Sequence, residues 1–417
     1  MRKKILYIYI VFTIVFSNYI FASINLEDEL YSPNVGVYNL ENMELLYGEN
    51  VDKTISFASI TKVMTAIVSI ENIQNINESI TIDYSYIQNK VDSELVIAGI
   101  YDGQVLTYYD LIATMLVPSG ADSAEYLANI IFENEDTFIN KMNEKAQELG
   151  MNNTSFSNVT GLDDDNNYST INDLAKMMKY AMENETLKEI MSLSEYTTTD
   201  SNITVRSTID SARARYGIDV NYIIGGKTGT TGDAGLCLAS FSEDEGVELL
   251  TIVTGASMYS STMYNVIDTE TIYDSIINSY SMQNIVSVGD LLYEIPCVCT
   301  KQDSVNILSK EDVLIYTDVI DKDSIKIEYE GLESLDYTIK EGETIGKIKV
   351  YYDENFIKEM DVTLDEKLEF SLIKWININI ENIIIFTGVL IIFISAIILI
   401  YKKKNLNRKK DRKYSKK

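Results

Sequence analysis

A serine and a lysine three residues apart, Ser59 and Lys62, lie in the segment Phe57-Ala58-Ser59-Ile60-Thr61-Lys62-Val63-Met64, where helical periodicity begins. On a helix these two side chains share a face, so a hydroxyl able to attack a carbonyl sits within reach of an amine able to take its proton. Lysine serves as such a base when burial or a neighbouring cation lowers its proton affinity. The helix N-terminus adds free N–H groups and a positive potential where an oxyanion would form. The 417 residues include no histidine. That excludes a Ser-His-Asp triad, a Cys-His dyad, an HExxH zinc site and the His/Cys deaminase zinc site. Nucleophilic chemistry in this chain needs a base other than imidazole, and Lys62 is the candidate.

A serine-x-x-lysine tetrapeptide also fits an ordinary capped amphipathic helix, so its companions decide the reading. Lys227-Thr228-Gly229 follows the run Ile223–Gly226, and Gly225, Gly226, Gly229 and Gly232 let a backbone approach a ligand closely. Ser119-Gly120 follows the apolar run Leu111–Val117, beside Pro118 and before a helix from Asp122. That placement suits a loop facing a cleft.

Regular elements must hold these segments. Thr61–Ile73 sets Val63, Ile67 and Ile70 at helical spacing, with Met64 and Val68 widening the stripe. Asp136–Leu149 is amphipathic on Phe138, Ile139, Met142 and Ala146, with Gly150 as terminator, and Asp173–Met182 is a further helix. Val35–Leu40, Leu236–Phe241 and Leu249–Thr254 read as strands. The mixture predicts an α+β sandwich rather than an alternating parallel sheet. From about residue 284 to 373 the pattern is strand-like: Ile348, Val350 and Tyr352 alternate with Lys347, Lys349 and Tyr351, Asp353-Glu354-Asn355 turns, and Met360, Val362 and Leu364 alternate again. That is a hairpin in a small all-β domain.

The three motifs in this order resemble the penicillin-recognising serine D,D-peptidase and β-lactamase superfamily. More narrowly, the chain resembles the D-alanyl-D-alanine carboxypeptidases, the low-molecular-weight penicillin-binding proteins. Ser157-Asn158-Val159-Thr160-Gly161-Leu162 is similar to that family's FxNPHGL segment, Tyr168-Ser169-Thr170 with Asp173-Leu174-Ala175 to its YSTAxDLA segment, and Gly226–Gly229 with Ala234–Leu238 to its GIKTG…AGYCL strand. The resemblance covers about residues 28–280 and implies a β-lactamase/transpeptidase-like domain, an antiparallel sheet with helices on both faces. It implies that Ser59 attacks the D-Ala–D-Ala peptide bond and becomes an acyl-enzyme, that Lys62 takes its proton with Lys227 nearby as the cation that keeps it neutral, and that Ser119 passes a proton to the leaving amine. Lys227, Thr228, Gly229 and Thr230 would line the substrate strand, Thr228 binding the carboxylate, and the N–H groups of Ser59 and Thr230 would form the oxyanion hole. The implied partners are peptidoglycan stem peptides ending in D-Ala-D-Ala and β-lactam antibiotics, with no cofactor and no metal.

Two departures stand out. The family's Ser-x-Asn motif has Ala121 at its third position; Asp122 beside it is available to compensate, and slower turnover is the alternative. The arginine often found near Ser257 is absent from Ala256-Ser257-Met258, which leaves the carboxylate to Thr228, Thr230 and the field of Lys227. Thr160 stands where the family has histidine, and a structural role is the simpler reading. Two competing functions are a penicillin-binding sensor that kept Ser59 but lost turnover, and a β-lactamase. The second needs a glutamate-activated water, and no glutamate lies between residues 157 and 182.

The ends place the protein. Arg2-Lys3-Lys4, then Ile5–Phe16 and small residues near Ala22, read as a signal peptide over residues 1–23, with an uncleaved anchor as the alternative. Residues 24–283 form the catalytic domain, 284–373 the β-rich domain and 374–382 a short stem. Ile383–Tyr401 carries no charge and is long enough to span a membrane. The tail 402–417, with eight Lys and two Arg, stays in the cytoplasm, which puts the catalytic domain on the side of the cell wall. Between residues 24 and 382, 22 basic side chains stand against 62 acidic ones, a formal charge of −40. Such a body repels phosphate backbones, so no nucleic acid partner is expected. Cys237, Cys297 and Cys299 are too few for a disulfide framework and read as small buried apolar residues.

Overall fold

The computed structural model describes residues 29–88, 95–132, 134–259 and 262–414; the signal-peptide reading lies outside them. The chain divides into two compact units, with the boundary between Ser281 and Met282. In the first unit, β1 (Asn34–Asn39) and β2 (Leu45–Glu49) precede α1 (Thr61–Asn72), and β3 (Ser79–Thr81) and β4 (Val105–Thr107) lead to α2 (Tyr108–Leu116) and α3 (Ala121–Ile131). Then follow α4 (Glu135–Glu148), α5 (Ile171–Met182), α6 (Glu185–Met191), β5 (Glu195–Thr197), β6 (Thr204–Arg206) and α7 (Thr208–Tyr216). The strands β7 (Gly225–Thr231), β8 (Gly235–Asp244) and β9 (Val247–Ala256) and helix α8 (Tyr264–Ser279) close the unit.

β1, β2, β7, β8 and β9 form one antiparallel sheet in the order β2-β1-β9-β8-β7. The first and last strands of this unit thus pair within it, Val37 of β1 opposite Thr251 of β9. The apolar run Leu249–Val253 is fully buried, as a strand covered on both faces must be. α8 packs on β8 and β9, where the Tyr273 hydroxyl donates to the Ser240 carbonyl (2.8 Å) and Asn265 Nδ2 to that of Cys237 (2.8 Å). α5 packs on β1 and β9. There the Tyr38 hydroxyl donates to Asn172 Oδ1 (2.7 Å), and a Cβ at Gly36 would overlap Ile171. The unit is therefore an α+β layered fold, as the sequence predicts.

Helix boundaries follow local chemistry. Thr107 and Asp110 make a reciprocal capping box at the start of α2, and Thr170 accepts the Asp173 N–H at the start of α5. α1 lacks any side-chain cap; its entry is a tight turn, Ala58–Ile60, held between neighbouring segments.

The second unit holds β10 (Ser281–Val286), β11 (Leu291–Val298), β12 (Ser304–Leu308), β13 (Val313–Thr317), β14 (Ile325–Gly331), β15 (Leu335–Asp336), β16 (Thr344–Tyr352) and β17 (Asn355–Thr363). Three small sheets enclose a core built on Ile295, Leu335, Ile348, Val350 and Leu364. The β16–β17 hairpin turns at Asp353-Glu354, both with positive φ. A single helix, α9 (Leu372–Tyr414), then runs through both the stem and the apolar span; the most apolar 18-residue stretch within Leu372–Lys404 has a mean hydropathy of 3.2 and nothing packed on it. All three cysteines are free. Cys237 and Cys299 are buried as expected, but Cys297 is only partly so, because the eight-residue β11 that carries it exposes most of its side chains.

Candidate active site

Ser59 sits in the turn Ala58–Ile60 that feeds α1. Ala58 has φ 48°, a left-handed conformation that a residue with a Cβ rarely adopts. Surrounding backbone holds it there. Gly229 of β7 passes so close that a Cβ on it would lie 2.9 Å from the Ser59 nitrogen, and Gly161, at φ +87°, would drive a Cβ into the Ala58 carbonyl oxygen. One turn on, Lys62 is 1 % exposed, and its Nζ lies 2.9 Å from Ser59 Oγ and 2.7 Å from the Thr160 carbonyl oxygen. Burial pushes its ammonium down to about 7, against the carboxylates of Glu125 and Asp122, which favour the charged form. Burial, not the second cation, is thus the leading reason for a neutral amine. Lys227 is itself held well below the ordinary lysine range, first by burial and then by Lys62.

Lys227, Thr228, Gly229 and Thr230 lie on β7, the edge strand of the sheet, with Lys227 opposite Ala239 and Gly229 opposite Cys237 of β8. Lys227 Nζ donates to the Thr228 carbonyl (2.8 Å), and the Thr230 hydroxyl to the Gly229 carbonyl (2.8 Å). The Thr228 hydroxyl donates to Thr208 Oγ1 at the start of α7 (2.6 Å). Ser119 is buried between α2 and α3 at φ 71°, a second strained backbone position. The arrangement can take a proton from a serine hydroxyl without imidazole and present the acylated serine beside an open strand edge.

A family model described as D-alanyl-D-alanine carboxypeptidase matches residues 31–258, and one described as penicillin-binding protein 5, C-terminal domain, matches residues 280–369. The chain belongs to the D-alanyl-D-alanine carboxypeptidase family. It is 25% identical over 332 residues to the D-alanyl-D-alanine carboxypeptidase DacF of Bacillus subtilis, covering 78% of this chain and 83% of that one. A D-alanyl-D-alanine carboxypeptidase of a Streptomyces species is 32% identical over 217 residues, 49% of this chain and 74% of the relative. In fold the chain resembles penicillin binding protein 5 of Haemophilus influenzae, with a TM-score of 0.59 at 22% identity over 82% of this chain and 98% of that one.

Against the family's pattern, Asp122 does not stand in for the missing amide at position 121. Its carboxylate accepts the backbone N–H groups of Ala98 (2.8 Å), Gly99 (2.7 Å) and Ile100 (3.1 Å), and so pins the segment before β4 instead of hydrogen-bonding Ser59 or Lys62. Ala121 is fully buried, its N–H donating to the Val96 carbonyl (2.8 Å). Sequence reasoning missed three participants. Thr160 meets Lys62 through its main-chain carbonyl, which no side-chain pattern reveals. Asn158 folds the turn that presents that carbonyl, and its place in the FxNPHGL-like segment was the only signal. Thr208 is distant in sequence from Thr228 and carries no motif.

Proposed function

We propose that this protein is a serine-type D-Ala-D-Ala carboxypeptidase that removes the terminal D-alanine from peptidoglycan stem pentapeptides through an acyl-enzyme on Ser59, and that penicillins acylate the same atom. The observation that carries the reading is the buried Lys62 amine 2.9 Å from Ser59 Oγ, with a proton affinity lowered to about 7. The neutral amine takes the hydroxyl proton as Oγ attacks the penultimate D-alanine carbonyl. The oxyanion forms against the N–H groups of Ser59 and Thr230. Ser119 hands a proton to the departing amine, with Lys227 supporting that hydroxyl electrostatically. Thr228 and Thr230, in the positive field of Lys227, hold the substrate carboxylate, the role that an arginine shares in relatives. Water then attacks the acyl-enzyme, with Lys62 again as base, and frees the shortened peptide.

The family's association with the cell wall fits a catalytic domain on the extracytoplasmic side, with α9 as membrane anchor and Lys402–Lys404 on the cytoplasmic side. The domain layout that goes with this reading is a catalytic domain over 24–283, a β-rich domain over 284–373, a stem over 374–382, a span over 383–401 and a basic tail over 402–417.

The test is a pentapeptide ending in D-Ala-D-Ala. Released D-alanine, together with fluorescent-penicillin labelling that disappears in Ser59→Ala, is the expected result. Labelling without release identifies a sensor, rapid nitrocefin hydrolysis without release identifies a β-lactamase, and no labelling of the intact protein removes all three readings.

A further inference from the structure

The turn Asn158–Leu162 has a job that the reaction steps above leave unassigned. Asn158 Oδ1 accepts the backbone N–H groups of Thr160 (3.2 Å), Gly161 (2.7 Å) and Leu162 (3.1 Å) and the Thr160 hydroxyl (3.3 Å), while its amide nitrogen donates to the Leu162 carbonyl (3.1 Å). One side chain thus closes the whole bend, the short-range bonding at which asparagine excels. Gly161 completes the bend at a φ that a Cβ would strain. The adjacent Val159 carbonyl accepts the Thr65 hydroxyl of α1 (2.7 Å), which ties the turn to the helix that carries Lys62. What the bend delivers is the Thr160 carbonyl, 2.7 Å from Lys62 Nζ and 3.5 Å from Ser59 Oγ.

A lysine ammonium has three donors and a flexible stem. Among the described residues, Lys62 Nζ has two acceptors, Ser59 Oγ and the Thr160 carbonyl. Position 121 offers only a methyl group, and Asp122 is engaged with the backbone of residues 98–100. We propose that Asn158 is the positioning residue for the general base, holding the turn whose Thr160 carbonyl fixes the Lys62 amine on Ser59 Oγ in place of an amide at position 121. The proposal rests on the reading of Ser59 as nucleophile and Lys62 as base.

A carbonyl acceptor favours the ammonium over the amine, so losing it changes both placement and basicity. The charged groups that act on Lys62 and its surroundings are Glu125 and Asp122 from α3 and Lys227 from β7; the turn itself contributes a neutral dipole. Removing that dipole displaces the Lys62 titration to lower pH, whereas a simple loss of folded protein lowers amplitude and leaves the titration where it was.

The experiment measures the rate of penicillin acylation against pH for the full-length protein, Asn158→Ala and Asn158→Asp, with melting temperatures alongside. Asn158→Ala is expected to acylate about 100-fold more slowly on the alkaline plateau, the usual effect of misplacing a reacting group, with its acid limb at lower pH. Asn158→Asp retains the acceptor oxygen and is expected to recover to within about tenfold of the parent, with its acid limb at higher pH because a carboxylate stabilises the ammonium. Asn158→Ala that acylates at the parent's rate with an unmoved limb overturns the proposal. If Asn158→Ala does not fold, Asn158→Asp decides, and slow acylation with an unmoved limb overturns it. An unlabelled parent, or one labelled away from Ser59, overturns the underlying reading as well and is recognised before any variant is compared.

Discussion

At Lys62 stability and reactivity pull in opposite directions. The side chain is 1 % exposed, and its proton affinity falls from the ordinary 10.5 to about 7 because burial penalises the ammonium. Between those values the unfolded chain binds a proton that the folded one has released, so unfolding free energy rises with pH across that window. The penalty is full below about 7 and is relieved towards 10.5. Lys62→Met is therefore expected to lose penicillin acylation yet to be more stable than the parent at pH 6, because the burial penalty on the ammonium is removed; the gain should shrink as pH rises. Urea titrations at pH 6 and pH 9 check this, and a variant less stable than the parent at both counts against it. With Lys62 as the proposed base, the same affinity sets the kinetics. Acylation by the parent should fall about tenfold per pH unit below about 7 and level off above it, because only the neutral amine accepts the hydroxyl proton.

At the scale of elements, the site is a meeting of three backbones: the Ala58–Ile60 turn, the Gly161 bend and strand β7. Gly161→Ala puts a Cβ against the Ala58 carbonyl at a left-handed φ, and should destabilise by more than about 1 kcal/mol while lowering acylation further than the loss of folded protein explains. Asp122→Asn keeps the shape but turns an acceptor of four backbone N–H groups, those of residues 98–100 and of Ser123, into a mixed donor and acceptor. A loss of about 1–3 kcal/mol is expected, with earlier proteolytic cleavage in the segment before β4; an unchanged cleavage pattern would show that the carboxylate is not what pins it. Much of this level was legible beforehand. The apolar stripes at Thr61–Ile73 and Asp136–Leu149 and the run at Leu249–Thr254 are read from local pattern and correspond to α1, α4 and β9, whereas the capping pairs Thr107 with Asp110 and Thr170 with Asp173 show only in the structure. The direction of the Asp122 side chain was not legible, since the same residue type at the same helix start could face the nucleophile or the neighbouring loop.

For the whole molecule, the division at Ser281 and the separate core of the second unit imply that the first can stand alone. A chain ending after Ser281 should fold cooperatively and take up penicillin at a rate close to that of the full protein; failure to fold would make the β-rich unit part of the catalytic fold. With α9 as the proposed anchor, the full-length protein should stay with the membrane fraction on alkaline extraction and a chain ending before Leu372 should leave it; a full-length protein released by that extraction counts against the anchor.

The sequence by itself determined the reaction class. The absence of histidine removes imidazole as a base, and Ser59 with Lys62, Ser119 and Lys227-Thr228-Gly229 resemble the motifs of a known family, each a signal carried by residues close together along the chain. It also determined the apolar segment of α9, because hydropathy is a sum over neighbours. Only the tertiary structure decided how Lys62 is held. The carbonyl that meets Lys62 belongs to Thr160, 98 residues away, and the hydroxyl that meets Thr228 belongs to Thr208. A main-chain oxygen is the same in every residue, so its role depends on where the fold points it.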